Sequence, residues 1–492
     1  MPHPDAPFRG LDPRTLRELR ATVSDGGLIS SPEELRTYEC DGLTNFRVVP
    51  RAVLLPESAA EVQAIVRVCH RERIPFVARG SGTGLSGGAL PVANGVVIGL
   101  SRMRKILEVD LPNARIVVEP GVINLEVTGR VSGAGYFYAP DPSSQSVCSI
   151  GGNVAENSGG AHCLKYGFTT THVLAMEVVL PDGTLAHFGS KTLDAPGYDL
   201  AGVFVGSEGT LGIATKITLR IVKRPECIQT LLAAFNSTNE AGAAVSGIIA
   251  AGMLPAAIEM MDNLAIQAAE AAVHANYPNC GGLLLVELDG PVAEVEALMA
   301  QVDSICKQNG ASEVRVAQSE AERALVWKGR KAAFAAVGRI SPNYIVQDGV
   351  IPRTALPQIL SEIEELSRQT GLRVANVFHA GDGNLHPLVL YDRRIEGQER
   401  AAEKLSERIL ELCIEKGGSI TGEHGVGEEK KHMMSKMFAE PDLQTMQRVR
   451  CAFDPLQLSN PTKVFPRPRL CGEQPGEYKP HPLETAGVAE RF

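Results

Sequence analysis

Arg79-Gly-Ser-Gly-Thr-Gly-Leu-Ser-Gly-Gly88 follows an apolar, β-prone run, Ile74 to Ala78, and contains a formal G-x-G-x-x-G at Gly82, Gly84 and Gly87. A dinucleotide fingerprint of that form has to open a helix. Here Gly88-Ala-Leu-Pro91 comes next, followed by another strand pattern, Val96 to Leu100. The helix-opening reading therefore fails, and with no Gly-Lys-Ser/Thr after the glycines the stretch is not a P-loop either. What remains is a nest of backbone N–H groups suited to a pyrophosphate without a helix dipole. The alternative is a loop that is glycine-rich only for tight turning.

Working outward, residues 11–40 read as a polar, helical lead-in and Val48 to Leu55 as a short strand. Ser58 is placed to cap a helix with Glu61 as its capping-box partner, and Val62, Ile65, Val66 and Cys69 follow at helical spacing. Strand, helix and strand make a β-α-β unit that runs into the glycine stretch. Downstream, residues 115–121 read as a strand ending in a turn, and residues 173–188 as a hairpin through Pro181-Asp-Gly183. Three more runs read as loops: Pro140-Asp-Pro-Ser-Ser144, the glycine-rich Ile150-Gly-Gly-Asn-Val-Ala-Glu-Asn-Ser-Gly-Gly160, and Val205-Gly-Ser-Glu-Gly-Thr-Leu-Gly-Ile213. So many glycines cost backbone entropy, which makes sense where backbone must approach a long, flat ligand at several points.

Around Arg224-Pro225 the glycine loops stop. Residues 228–318 alternate strand and helix in a ferredoxin-like rhythm with a mostly antiparallel sheet. Residues 440–453 read as a helix, Leu458 to Phe465 as a closing segment, and the Pro-rich tail beyond Pro466 as disordered. The expected divisions are a lead-in at 1–46, a first domain at 47–225, a second at 226–440, a returning segment at 441–466 and a tail at 467–492.

The 492 residues suffice for two or three domains, and the formal charge is -9. Lys and Arg are scattered, so nothing suggests a nucleic-acid surface. The first residues lack an apolar h-region, and no apolar run approaches the roughly 20 residues of a membrane span. Ten cysteines are dispersed without a C-x-x-C pair, which argues against an iron–sulfur cluster in this chain and against a disulfide framework. A cytoplasmic location is expected.

Chemistry concentrates in Val374-Ala-Asn-Val-Phe-His379-Ala-Gly-Asp-Gly-Asn-Leu-His386-Pro-Leu-Val-Leu390. Asp-Gly between two apolar runs is a strong hairpin signal. With Asp382-Gly383 as a two-residue turn, His379 falls opposite His386, at a separation that suits one metal ion. Glu423, in Ser419-Ile-Thr-Gly-Glu423-His424-Gly-Val-Gly427, is the third candidate ligand. Zn²⁺ is the default for His₂Glu with one open position, and Mn²⁺ and Fe²⁺ suit the same donors. The bland alternative is an ordinary hairpin carrying two satisfied histidines.

Together the stretch at 79–90, GGNVAENSGG, GSEGTLGI, HAGDGNLH, GEHGVG and NPTKVFP resemble, in that order, the FAD-linked 2-hydroxyacid dehydrogenases of the vanillyl-alcohol oxidase (PCMH) type. The likeness runs from about residue 47 to 466. Within the family the run WKGRKAAFAAVGRISPNY is most similar to the glycolate-oxidising branch. The resemblance implies an α+β fold: a two-subdomain FAD-binding domain and an α+β cap with a mostly antiparallel, ferredoxin-like sheet. It implies that Arg79, Gly80, Ser81, Gly82, Thr83, Gly84, Leu85, Gly87 and Gly88 hold the pyrophosphate. Pro140, Asp141, Ser144, Gly151, Gly152, Asn153, Ala155, Asn157, Gly159, Gly160, Glu208, Gly209, Gly212 and Ile213 are expected at the rest of the flavin, and Asn460 returns to it. The stretch at 79–90 has no histidine to attach the ring, so FAD is expected to be non-covalent.

The expected reaction is oxidation of a short 2-hydroxyacid, glycolate first and D-lactate second. FAD takes the hydride, a metal at His379, His386 and Glu423 acidifies the hydroxyl, His424 is the base, and Arg330 pairs with the carboxylate. Hydroxyglutarate-oxidising relatives carry a lysine just before the Asp of their equivalent of Tyr344-Ile-Val-Gln-Asp348, and this chain has none. The resemblance further implies sister subunits, one with iron–sulfur clusters, passing electrons toward the quinone pool, with any membrane association peripheral and through those partners. Competing readings are a zinc hydrolase on the same three ligands, which leaves the glycine loops unexplained, and a non-catalytic flavin-binding subunit.

Overall fold

The computed structural model describes residues 11–192 and 197–466. The tail expected to be disordered, 467–492, lies outside the described residues. The lead-in contains the helix Pro13–Ala21 and the short strand Leu28–Ile29. Helix Ala59–Glu72 buries Val62, Ile65, Val66 and Cys69 on one face, as their spacing requires. Ser58 caps it by accepting from the Glu61 N–H, while Glu61 reaches back to the N–H of Glu57 at 2.8 Å. The flanking strands, Ala52–Leu54 and Phe76–Arg79, do not pair with each other. Val96–Gly99 inserts between them, parallel to both, in a four-stranded sheet with Leu28–Ile29 at the edge. The glycine stretch is thus the connection between two adjacent parallel strands, and it holds no helix.

A second, five-stranded antiparallel sheet takes the order Ile106–Asp110, Arg115–Val118, Ile213–Arg220, Val173–Val179, Leu185–Gly189. The last two strands form the hairpin expected at Pro181-Asp-Gly183. The run from Ile150 to Gly160, read as a loop, begins instead with a helix, Ile150–Glu156. Two glycines in succession disfavour a helix by about 1 kcal/mol each. Against that, the Ser149 hydroxyl accepts from the Gly152 N–H at 3.3 Å, and Ile150 and Val154 are buried against Ile116 and Val118.

From Cys227 the chain builds an antiparallel eight-stranded sheet. Its order is Glu313–Val316, Cys227–Phe235, Gly282–Gly290, Ala257–Asp262, Val374–His379, Asn384–Tyr391, Asn343–Val346, with Gly349–Val350 also pairing on Asn384–Tyr391. The first four strands keep the ferredoxin-like arrangement, and the His379 hairpin extends that sheet. Helices cover both faces. Helices Thr238–Ala250 and Leu356–Thr370 pack through Val245, Ile248, Ile359 and Ile363 with sheet residues Phe235, Ile258 and Phe378. Helices Asn263–Val273 and Glu320–Val337 close the other face through Ile266, Val326 and Trp327. Every residue of Asn384–Tyr391 is buried for this reason.

The expected helix Glu440–Phe453 is present. The closing segment then returns to the first sheet, where the Phe76 N–H donates to Leu458 O and the Asn460 N–H to Phe76 O. The Asn460 amide donates to the carbonyls of Gly88 (2.8 Å) and Glu208 (2.6 Å), tying two glycine runs together.

Candidate active site

The hairpin forms in a different register from that expected. Val377 pairs with His386 and His379 with Asn384, so Ala380–Gly383 make a four-residue loop. The turn backbone bonds outward: the Gly381 N–H donates to Ile258 O, and Gly383 O accepts from Ile351 N–H. Neighbouring chain, not the local Asp-Gly preference, sets the turn. The slip is two residues, and the side-chain period of a strand is two. His379 and His386 therefore still share a face as diagonal neighbours, their ring centroids 5.0 Å apart.

Glu423 reaches that face from the opposite loop. Its Oε1 lies 3.3 Å from His379 Nε2 and 3.4 Å from His386 Nε2. One donor atom from each residue falls within 4.8 Å of the others, and all three side chains are buried. His379 Nε2 and Glu423 Oε2 make no hydrogen bond. Two imidazoles and a carboxylate converging, with His379 Nε2 and Glu423 Oε2 unsatisfied and His386 Nε2 also 3.3 Å from Asp348 Oδ1, fit a divalent metal with an open position.

Asp348 holds the Glu423 loop in place. This fully buried carboxylate accepts from the Thr421 hydroxyl at 2.6 Å and from the N–H groups of Gly422 (3.0 Å), Glu423 (3.2 Å) and His424 (2.9 Å), with Lys430 Nζ at 3.5 Å. Burial works to raise its pKa, but His424, Lys430 and His386 outweigh that and keep it well below the usual range. A Cβ at Gly422 would collide with the Asn384 amide, so a side chain there would force Asn384 to move. Glu208 anchors the same loop further on, accepting from the N–H groups of Val426 (2.6 Å) and Gly427 (2.7 Å). His424 stacks on His386 with ring centroids 4.9 Å apart, and burial pushes its pKa down to about 4. It is therefore a neutral imidazole at neutral pH.

A cavity of about 640 Å³ runs from the glycine stretch to Glu423 and His424. Of the residues expected at the flavin, Arg79 to Leu85, Gly88, Ser144, Gly151 to Asn153, Ala155, Glu208, Gly209, Gly212 and Ile213 line it. This long, glycine-lined wall, from which backbone is accessible at several points, fits FAD. Gly87, Pro140, Asp141, Asn157, Gly159, Gly160 and Asn460 are not on the lining. Asp141 instead pairs with His162 at 3.0 Å and Lys331 at 3.5 Å, and Asn157 ends its helix in the left-handed conformation. Arg79 lines the cavity, but its guanidinium donates to Cys40 O at 2.8 Å and packs over the Tyr38 ring.

Arg330 is off the lining too. It is 2 % exposed and forms an ion pair with Glu259, while its Nε makes no hydrogen bond. Lys331, its neighbour in sequence, lines the cavity together with Phe334, Tyr344 and Val346. The sequence reading did not single out Glu259. Asp348 entered it only as the residue after the absent lysine. Both are lone acids beside apolar runs, and no local pattern distinguishes them.

Residues 50–189 match the family model "FAD binding domain", and residues 224–464 match "FAD linked oxidases, C-terminal domain". The chain is 50 % identical over 459 residues to the glycolate oxidase subunit GlcD of Escherichia coli K12, covering 93 % of this chain and 92 % of that one. It is 39 % identical over 430 residues to the subunit of the same name from Bacillus subtilis (87 % and 92 %), and 31 % identical over 458 residues to a probable mitochondrial D-lactate dehydrogenase of Danio rerio (92 % of each). Among solved structures, 4-ethylphenol oxidase from Gulosibacter chungangensis superposes with a TM-score of 0.77 at 20 % identity, covering 92 % of this chain and 97 % of that one. p-Cresol methylhydroxylase gives 0.76 at 16 % identity (92 % and 96 %). These two likenesses carry the fold, and the sequence relatives carry the family: this chain belongs to the FAD-linked oxidases and is an FAD-dependent oxidoreductase.

Proposed function

We propose that this protein oxidises a short 2-hydroxyacid, glycolate first and D-lactate second, and passes the electrons to partner subunits. One observation carries the reading: a single cavity joins the glycine-lined wall to Glu423 and His424, beside His379 and His386. When bound, FAD supplies the hydride acceptor and a divalent metal, Zn²⁺ first, supplies Lewis acidity toward the substrate hydroxyl. His379, His386 and Glu423 would hold the metal. Neutral His424 takes the hydroxyl proton at its unprotonated ring nitrogen. Arg330, expected to pair with the substrate carboxylate, is committed to Glu259 off the cavity lining, which leaves Lys331 as a cation on the lining for that contact. The names of the Escherichia coli and Bacillus subtilis relatives support both glycolate and membership of a multi-subunit enzyme. No helix among the described residues is long and apolar enough to cross a membrane. Electrons would pass through sister subunits, one of them carrying iron–sulfur clusters, to the quinone pool.

Anaerobic addition of glycolate to the purified holoprotein is expected to bleach the flavin spectrum within the first turnover. In air and without a dye, peroxide should form only slowly. Absence of bleaching by any 2-hydroxyacid would refute the reading, and rapid stoichiometric peroxide would show that reduced FAD needs no partner. The glycine stretch at 79–90 contains no histidine, so acid precipitation is expected to release yellow FAD into the supernatant. Flavin retained in the pellet would show a covalent link.

A further inference from the structure

The His379 ring carries a second contact, on the nitrogen that faces away from Glu423. Its Nδ1 lies 2.9 and 3.0 Å from the two carboxylate oxygens of Glu259. The two residues are direct partners across adjacent strands, Glu259 on Ala257–Asp262 and His379 on Val374–His379. Glu259 is 1 % exposed. Its other neighbour is Arg330, ion-paired to Oε2 from the helix Glu320–Val337. An ionised carboxylate only accepts hydrogen bonds, so the proton between the two groups belongs on Nδ1. In a neutral ring that leaves the lone pair on Nε2, the nitrogen 3.3 Å from Glu423 and without a hydrogen bond of its own.

We propose that Glu259 is the positioning residue of the metal centre. Its carboxylate takes the Nδ1–H of His379, fixes the tautomer and ring orientation, and so presents Nε2 as the ligand. Arg330 holds the carboxylate in place and balances its charge, which a carboxylate buried between Ala257 and Met261 requires. Ala257 and Met261, the residues at the same parity in that strand, are buried in an apolar cluster, and an isolated acid there has no packing reason. The inference rests on the metal-site reading above and adds a residue to it that never touches substrate.

The test is Zn²⁺ affinity of the full-length, FAD-loaded chain, measured by competition with a chelator. Loss of such an outer partner typically weakens binding about 10- to 100-fold. Glu259→Gln, which keeps an acceptor and loses the charge, is expected near the lower end, and Glu259→Leu near the upper. Because either single change leaves Arg330 buried without its counter-charge, the double variant Glu259→Leu/Arg330→Met separates folding from positioning. Removing both partners of a buried pair is often neutral for stability, so a folded double variant should still bind Zn²⁺ about 100-fold more weakly. Wild-type affinity in that folded variant would overturn the proposal. Should the variants fail to fold, ¹⁵N-histidine NMR of the Zn²⁺-loaded wild-type chain decides alone. A proton on His379 Nδ1 supports the assignment, and a bare Nδ1 overturns it. Failure of the wild-type chain to bind Zn²⁺ would instead strike the metal-site reading itself, and this inference with it.

Discussion

His386→Ala is expected to abolish stoichiometric metal binding and to lower kcat about a thousandfold, with the flavin absorption spectrum unchanged. His386 contributes one of three converging donor atoms, and two ligands do not hold a catalytic zinc. The Lewis acid is worth several kcal/mol of transition-state stabilisation, and each ~1.4 kcal/mol is a decade in rate. The spectrum should survive because His386 is not on the cavity lining. It lies 1 % exposed on the strand Asn384–Tyr391, stacked on His424. Metal analysis of the purified variant, alongside its flavin content and steady-state rate, checks all three. Undiminished metal in that variant would sink the three-ligand site, whatever happened to the rate.

Glycolate and D-lactate are expected to exceed D-2-hydroxyglutarate about a thousandfold in kcat/KM with a dye acceptor. A short 2-hydroxyacid presents one carboxylate and one hydroxyl, which a metal held by His379, His386 and Glu423 would engage together with His424. The five-carbon diacid brings a second carboxylate into a cavity to which the strand Asn343–Val346 contributes Asn343, Tyr344 and Val346 and no cation. A buried carboxylate without a partner costs several kcal/mol, enough for three decades. Lys331 is the competing possibility, since it lines the same cavity and its Asp141 partner is 3.5 Å away. If the diacid wins, Lys331 leaves Asp141 to meet the far carboxylate. Substituting Lys331→Met should then reverse the preference.

Much of the site could be read locally. Helical spacing at Val62, Ile65, Val66 and Cys69 put the right face of Ala59–Glu72 into the core. Gly88-Ala-Leu-Pro91 was enough to deny the glycine stretch a helix. The shared face of His379 and His386 survived a wrong register, because a strand alternates with period two and the slip was even. The same local reasoning missed the helix Ile150–Glu156, where a Ser149 cap and burial of Ile150 and Val154 overrode two glycines.

The sequence by itself determined which side chains were available, which faces they share and that backbone must approach a ligand, since periodicity and glycine placement act over a few residues. Tertiary structure alone decided the turn of the hairpin, set when Ile258 and Ile351 bond its backbone. It also decided that Asp348 gathers the Glu423 loop and that Glu259, 120 residues before His379, faces its Nδ1. Strand order in the eight-stranded sheet sets Glu259 against His379, and the bridge between Val350 and Ser419 brings the Glu423 loop to Asp348. A lone acid beside an apolar run becomes stable, and acquires a role, only when that order places a donor or a cation against it.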